Sequence, residues 1–132
     1  CCLFMGCSSK TQKNANFLPI IETLVRTTES WSGEKYYYPE GQAEMTFLRI
    51  TVPSGFRTPV HTHPQPGVAY VLEGELECVV KADETLKAGE GEVFATTFGA
   101  TPHYCENVGQ DSAVILVTYA GVTGKAVTVP VE

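Results

Sequence analysis

The 132-residue sequence is short of several things at once. Charged side chains make up only 18% of it, and the 9 basic residues are scattered rather than gathered into a stripe. A nucleic-acid footprint needs clustered Lys and Arg, so that class of partner is excluded. No apolar run approaches the roughly 20 residues of a membrane-spanning helix. The chain has no phosphate-cradling glycine loop, no C-x-x-C pair and no Ser/His/Asp arrangement, which removes the commonest nucleotide, redox and hydrolase signatures. Tryptophan occurs once and histidine 3 times, few enough for each histidine to be placed individually. What is abundant is ordinary hydrophobic character (43%), 12 Gly, 8 Pro and a modest net charge of −6. That composition rules out a disordered acidic chain, and the length suits one domain with a core of its own.

From residue 40 onward the chain alternates like β-structure. In 42–52, Glu44, Thr46, Leu48, Ile50 and Val52 share one face, against Ala43, Met45, Phe47, Arg49 and Thr51 on the other. Further short strands are expected at 58–63, 68–73, 75–81, 92–96, 102–107 and 112–119, separated by Gly, Pro and Asp/Glu punctuation. Residues 17–26 are ambiguous between a short helix and a strand, and 27–39 read as a loop holding Trp31 and the run Tyr36-Tyr37-Tyr38. Many short strands at even spacing predict an all-β sandwich or small barrel.

His61-Thr62-His63 lies in one of these strands, where alternate side chains share a face about 6.6 Å apart. His103 heads another. A single strand histidine is more often solvated or part of a core than a ligand. Three neutral imidazoles converging inside a barrel would suit Fe, Mn, Zn, Ni or Cu, and the count alone does not choose among them.

The spacing around these histidines resembles the first motif of the cupin superfamily: Gly55, then His61 and His63, then position 67, then Gly74. His103 and Asn107 resemble the end of the second motif. The stretches Val71 to Leu76 and Leu86 to Glu92 resemble the hairpin between the motifs and the approach to the second. The likeness runs from about residue 18 to 130. It implies a single-domain, all-β jelly-roll (cupin) barrel over 17–132, with His61, His63 and His103 as ligands of a divalent transition metal. The sequence departs from the family in two places. Gly67, within Pro64-Gln65-Pro66-Gly67, stands where a glutamate is usual, and Phe98, Ala100 and Glu92 occupy slots usually held by Pro, Gly and Gly.

Without the glutamate, three neutral imidazoles leave a divalent ion its full charge, which favours a small anionic or chelating ligand such as a carboxylate, enolate or thiolate. Three-histidine cupins of this kind are similar to thiol and diketone-cleaving dioxygenases, so the implied activity is that of a non-haem iron dioxygenase. A non-catalytic binding or sensor module and a metal-free structural cupin are the alternatives. Gln65 is a candidate fourth ligand, and Tyr70, Tyr104 and Cys105 are candidate pocket residues; the tyrosines serve equally as core or interface filler. Homodimer formation is the family default.

The cysteines fall into two groups. Residues Leu3-Phe4-Met5-Gly6-Cys7, followed by a polar stretch through Asn16, resemble the end of a bacterial lipoprotein signal peptide. That resemblance implies lipidation at Cys7, residues 1–16 as signal remnant and tether, and a lipid-anchored domain in the cell envelope or periplasm. Cys78 shares parity with Leu76, and Cys105 with His103, so both face inward and lie on neighbouring strands of a jelly roll. They are expected as two buried free thiols packed as small hydrophobes. A disulfide becomes credible if the domain is exported, and a thiolate near the metal is a third reading.

Overall fold

In the computed structural model, residues 17–81 and 84–132 are described, and the expected lipidation site Cys7, its signal remnant and its tether lie outside them. Among the described residues nine strands follow in order: β1 (Ala43–Val52), β2 (His61–His63), β3 (Gly67–Glu73), β4 (Glu75–Lys81), β5 (Glu84–Gly89), β6 (Val93–Ala95), β7 (Gly99–Glu106), β8 (Ala113–Val122) and β9 (Val129–Pro130). They form two antiparallel sheets, β1-β8-β3-β6 and β5-β4-β7-β2-β9. No helix occurs among the described residues. The expected all-β jelly roll is what the chain forms.

The alternation in the sequence decides which residues enter the space between the sheets. β8 alternates buried and half-buried along most of its length, turning Ala113, Ile115, Val117 and Tyr119 inward. Its pairing with β1 sets Val52, Ile50, Leu48 and Thr46 opposite those four. Ala69 and Val71 of β3, Leu76 and Cys78 of β4, and Phe94 of β6 complete the core. The β3–β4 turn needs Gly74, whose φ of +84° suits glycine and whose missing Cβ would lie 2.9 Å from Ala113 Cα.

Three expectations change. Residues 17–26 form neither helix nor strand. The strand expected over 58–63 shortens to 61–63, because Pro59 has no N–H to give a ladder; Thr58 N still donates to Cys105 O at 2.9 Å. β5 and β9, absent from the sequence reading, are edge strands; β5 turns Ala88 into the core with Leu86 packed against it, whereas both residues of β9 are exposed. Of the aromatic run, Tyr36 and Tyr37 stand edge-on to Phe98 at 5.2 and 5.0 Å, while Tyr38 is exposed. Asn107, fully buried, donates to Val52 O and Asp111 O and accepts from Gly109 N, each at 2.9 Å, so it fixes loop backbone.

The larger correction concerns the core thiols. Cys78 and Cys105 are directly opposed between β4 and β7 and are joined in a disulfide. Parity alone could place both sulfurs inward, but their meeting depends on the register of two strands far apart in sequence.

Candidate metal centre

The three histidines meet because β2 pairs with β7. His61 lies directly across the ladder from His103, while His63 pairs with Gly99, so β7 holds extra residues across the interval. Pro102, unable to donate to the ladder, and Gly99, at φ +81°, sit within this irregular stretch. The three rings lie 4.3 to 4.8 Å apart by centroid, all buried, and their ligating nitrogens fall within 4.8 Å of one another.

Hydrogen bonds assign the tautomers. His61 Nδ1 lies 2.7 Å from Pro59 O and His63 Nδ1 2.7 Å from Val127 O. A carbonyl oxygen only accepts, so each Nδ1 carries the proton and each Nε2 keeps a free lone pair. His103 Nδ1 faces Thr101 O more distantly, at 3.5 Å. Burial pushes the His63 imidazole down to about 4, and its neighbour His61 adds to this. Burial also pushes His103 down to about 3, with His61 and His63 as further causes. These rings are therefore neutral near pH 7, the form a metal requires. The donor set fits a divalent transition ion: three imidazoles in one buried cluster, two of them anchored to backbone carbonyls.

The same shifts tie stability to pH in the metal-free protein. The unfolded chain takes up protons near pH 6.5, whereas folded His63 does so only near 4. The stability this histidine contributes is thus complete above about pH 6.5 and is lost as the pH falls toward 4, on the order of 3 kcal/mol. Urea midpoints of the metal-free protein should decline steadily between pH 7 and pH 4. A flat profile would mean that the rings are not held neutral.

Tyr119 is the site residue that the sequence reading missed. Its ring lies 5.2 Å from that of His63, and its hydroxyl is 3.5 Å from His63 Nε2. Burial pushes its phenol well up, so the hydroxyl keeps its proton. Gly67 explains why the ring fits. A Cβ there would meet Tyr119 Cδ1 at 2.7 Å, Thr118 O at 2.9 Å and Thr96 Oγ1 at 2.9 Å. The space a longer residue at 67 would enter is filled, partly by backbone, so this glycine is built into the site. Gly67→Glu should therefore lower stability by about 2–3 kcal/mol and weaken metal binding. A variant of native stability that binds metal more tightly would show that the carboxylate has room.

The remaining candidates separate clearly. Cys105 lines the cavity beside the histidines but is bonded to Cys78, so it offers no thiolate. Gln65 is buried away from the cavity, its Nε2 donating to Lys125 O at 3.0 Å and its amide packed over Gly121. Tyr70 shares the outer face of β3 with the exposed Val68 and Leu72. Tyr104 lies beneath the Arg57 guanidinium, 4.4 Å from its ring centroid, while Arg57 pairs with Glu106 at 3.1 Å. Neither tyrosine lines the cavity, as strand alternation dictates for residues next to inward-facing ones. Glu34 is close by: burial pushes its carboxyl up, but hydrogen bonds from Ser30, Ser32 and Phe98 N outweigh this and hold it below the usual range.

Among known proteins, the Cupin domain family matches residues 48–119 of this chain. No curated protein matches it. Solved structures of similar fold include the polyketide cyclase RemF from Streptomyces resistomycificus (22% identity, TM-score 0.55, covering 70% of this chain and 63% of that one). The DMSP lyase DddQ from Ruegeria pomeroyi is another (23%, TM-score 0.53, covering 62% and 41%). A third is a mutant of oxalate decarboxylase OxdC from Bacillus subtilis (25%, TM-score 0.56, covering 66% and 24%). The chain thus spans less than two thirds of each of these three. With a family match over more than half its length and the motif histidines gathered between two jelly-roll sheets, the chain belongs to the cupin family.

Proposed function

We propose that this protein is a metal-binding cupin of the cell envelope whose three-histidine centre coordinates a small anionic ligand. The observation that carries the reading is the convergence of His61, His63 and His103, with Nδ1 of His61 and His63 anchored to carbonyl oxygens. His61, His63 and His103 would hold the ion, and Tyr119, protonated, would offer a hydrogen bond to whatever the ion binds. A divalent ion there supplies Lewis acidity and, if it is iron, the redox chemistry of a dioxygenase. The three fold relatives carry out different reactions, so the fold does not select one. The first experiment is metal analysis of protein purified without added metal, alongside His61→Ala and His103→Ala. Oxygen uptake by iron-loaded protein with a panel of thiols and diketones then separates an enzyme from a binding module.

Lipid attachment at Cys7 and an envelope location belong to the same reading. The Cys78–Cys105 disulfide supports them, because such bonds persist in oxidising compartments and are rare in the cytosol. A homodimer is also proposed. The outer face of the β1-β8-β3-β6 sheet presents Met45 and Phe47, 68% and 71% exposed, together with the exposed Val68 and Leu72 of β3. A patch of this kind marks an interaction surface. Sedimentation should give twice the chain mass, and Phe47→Glu should return it to the monomer. A monomeric parent protein would overturn the dimer.

A further inference from the structure

The histidines occupy part of a larger space. A cavity of about 320 Å³ lies between the sheets, and its walls hold both the three imidazoles and the apolar side chains of Leu48, Ile50, Val52, Ile115 and Val117. Well-packed interiors leave few voids larger than a water molecule, so a space of this size is not a packing flaw. It falls at the small end of the range for small-molecule sites, roughly 300–1,000 Å³. Ile50 shows how the space is held open: it points inward, opposite Ile115, yet remains 41% exposed.

The wall chemistry is sharply divided. No Lys, Arg, Asp or Glu lines the cavity. Its polar groups are the imidazoles and a few hydroxyls, among them Tyr119 and Thr96. Thr96 Oγ1 is buried and has no hydrogen-bond partner among the described residues. It lies 2.9 Å from where a Cβ on Gly67 would sit, beside the Tyr119 ring. The rest of the wall is aliphatic or aromatic, with Trp31 and Phe94 included.

We infer that the ligand is a monoanionic amphiphile, with a carboxylate-type head at the histidine centre and an unbranched or lightly branched apolar body running into the space between the sheets. This rests on the metal-binding reading above. A wall without charge gives no partner to a second carboxylate or an ammonium group, and burying either unpaired is costly. Sugars, amino acids and dicarboxylates are therefore poor occupants. A short aliphatic or aryl acid satisfies both ends.

The test is calorimetric titration of cobalt-loaded protein with 2-oxo acids of one head group and growing tail, from pyruvate to 2-oxooctanoate. Metal content per chain is measured first. Affinity should rise about fourfold per added methylene, the gain expected for burying one, and stop rising when the cavity is full. The dicarboxylic 2-oxoadipate should bind more weakly than the monoacid of equal length. Ile50→Thr, at a side chain already part-exposed and so tolerant of change, should weaken 2-oxooctanoate at least fourfold and leave pyruvate unchanged. Flat affinity along the series in metal-bound protein would overturn the amphiphile while leaving the metal centre standing. Protein that takes up no metal would overturn both.

Discussion

His61→Ala and His103→Ala should each strip the protein of stoichiometric metal. In many sites a lost ligand is partly replaced by a nearby carboxylate, thiolate or mobile side chain. Here the cavity lining contains no acid, and its two cysteines are bonded to each other. Gln65 is committed to Lys125 O, and the place beside Gly67 is filled by Tyr119. Two imidazoles then have only water to complete the shell. Even loss of an outer-shell partner usually weakens a site 10–100-fold, so loss of a ligand should cost more than about 100-fold. Metal per chain after gel filtration should fall from near one to a trace. Folding should survive, because each substitution removes a buried polar ring, and near-UV circular dichroism will check this. Unchanged metal in either variant would place the site elsewhere.

The second large effect belongs to the disulfide. Cys78 and Cys105 are 27 residues apart in sequence. Closing a loop of that length restricts the unfolded chain by an amount worth about 3.5 kcal/mol in the chain-entropy treatment. Domains of this size are stable by only about 5–15 kcal/mol, so the bond is a substantial share. The double variant Cys78→Ala/Cys105→Ala should melt on the order of 10 °C lower than the parent, and the parent should fall toward it in strong reductant. Equal melting temperatures would mean that the strands are held without the bond.

Much of this molecule could be read from the chain itself. The period-two pattern located β1 and β4 almost to the residue, most cleanly in β4, where inward Leu76 and Cys78 alternate with Glu75 and Glu77. His61 and His63 shared a face by the same rule. Tyr70 and Tyr104 could have been set aside by it, since each neighbours an inward-facing residue in a strand. Tyr119 was harder to find. It ends a run of hydrophobic inward positions, and nothing local distinguishes it from core filler. Its value comes from the absence of a Cβ on Gly67 of a different strand, which lets the ring fill that place, a fact of tertiary packing. The sulfur–sulfur bond was hidden for the same reason, as it needs the register of β4 against β7. β9 is two residues long and exists only through its pairing with β2.

That last pairing gives the histidine strand a mechanical role. β2 is three residues long, and β9 hydrogen-bonds to it alone. Val127 O accepts a hydrogen bond from His63 Nδ1, and Thr128 Oγ1 lies 3.4 Å from the same nitrogen. An ion bridging His61, His63 and His103 would rivet this short strand to β7, and the chain from 127 to 130 would be clamped along with it. The C-terminal segment should thus serve as a built-in gauge of occupancy, its amide protons expected to exchange quickly in metal-free protein and slowly once the centre is filled.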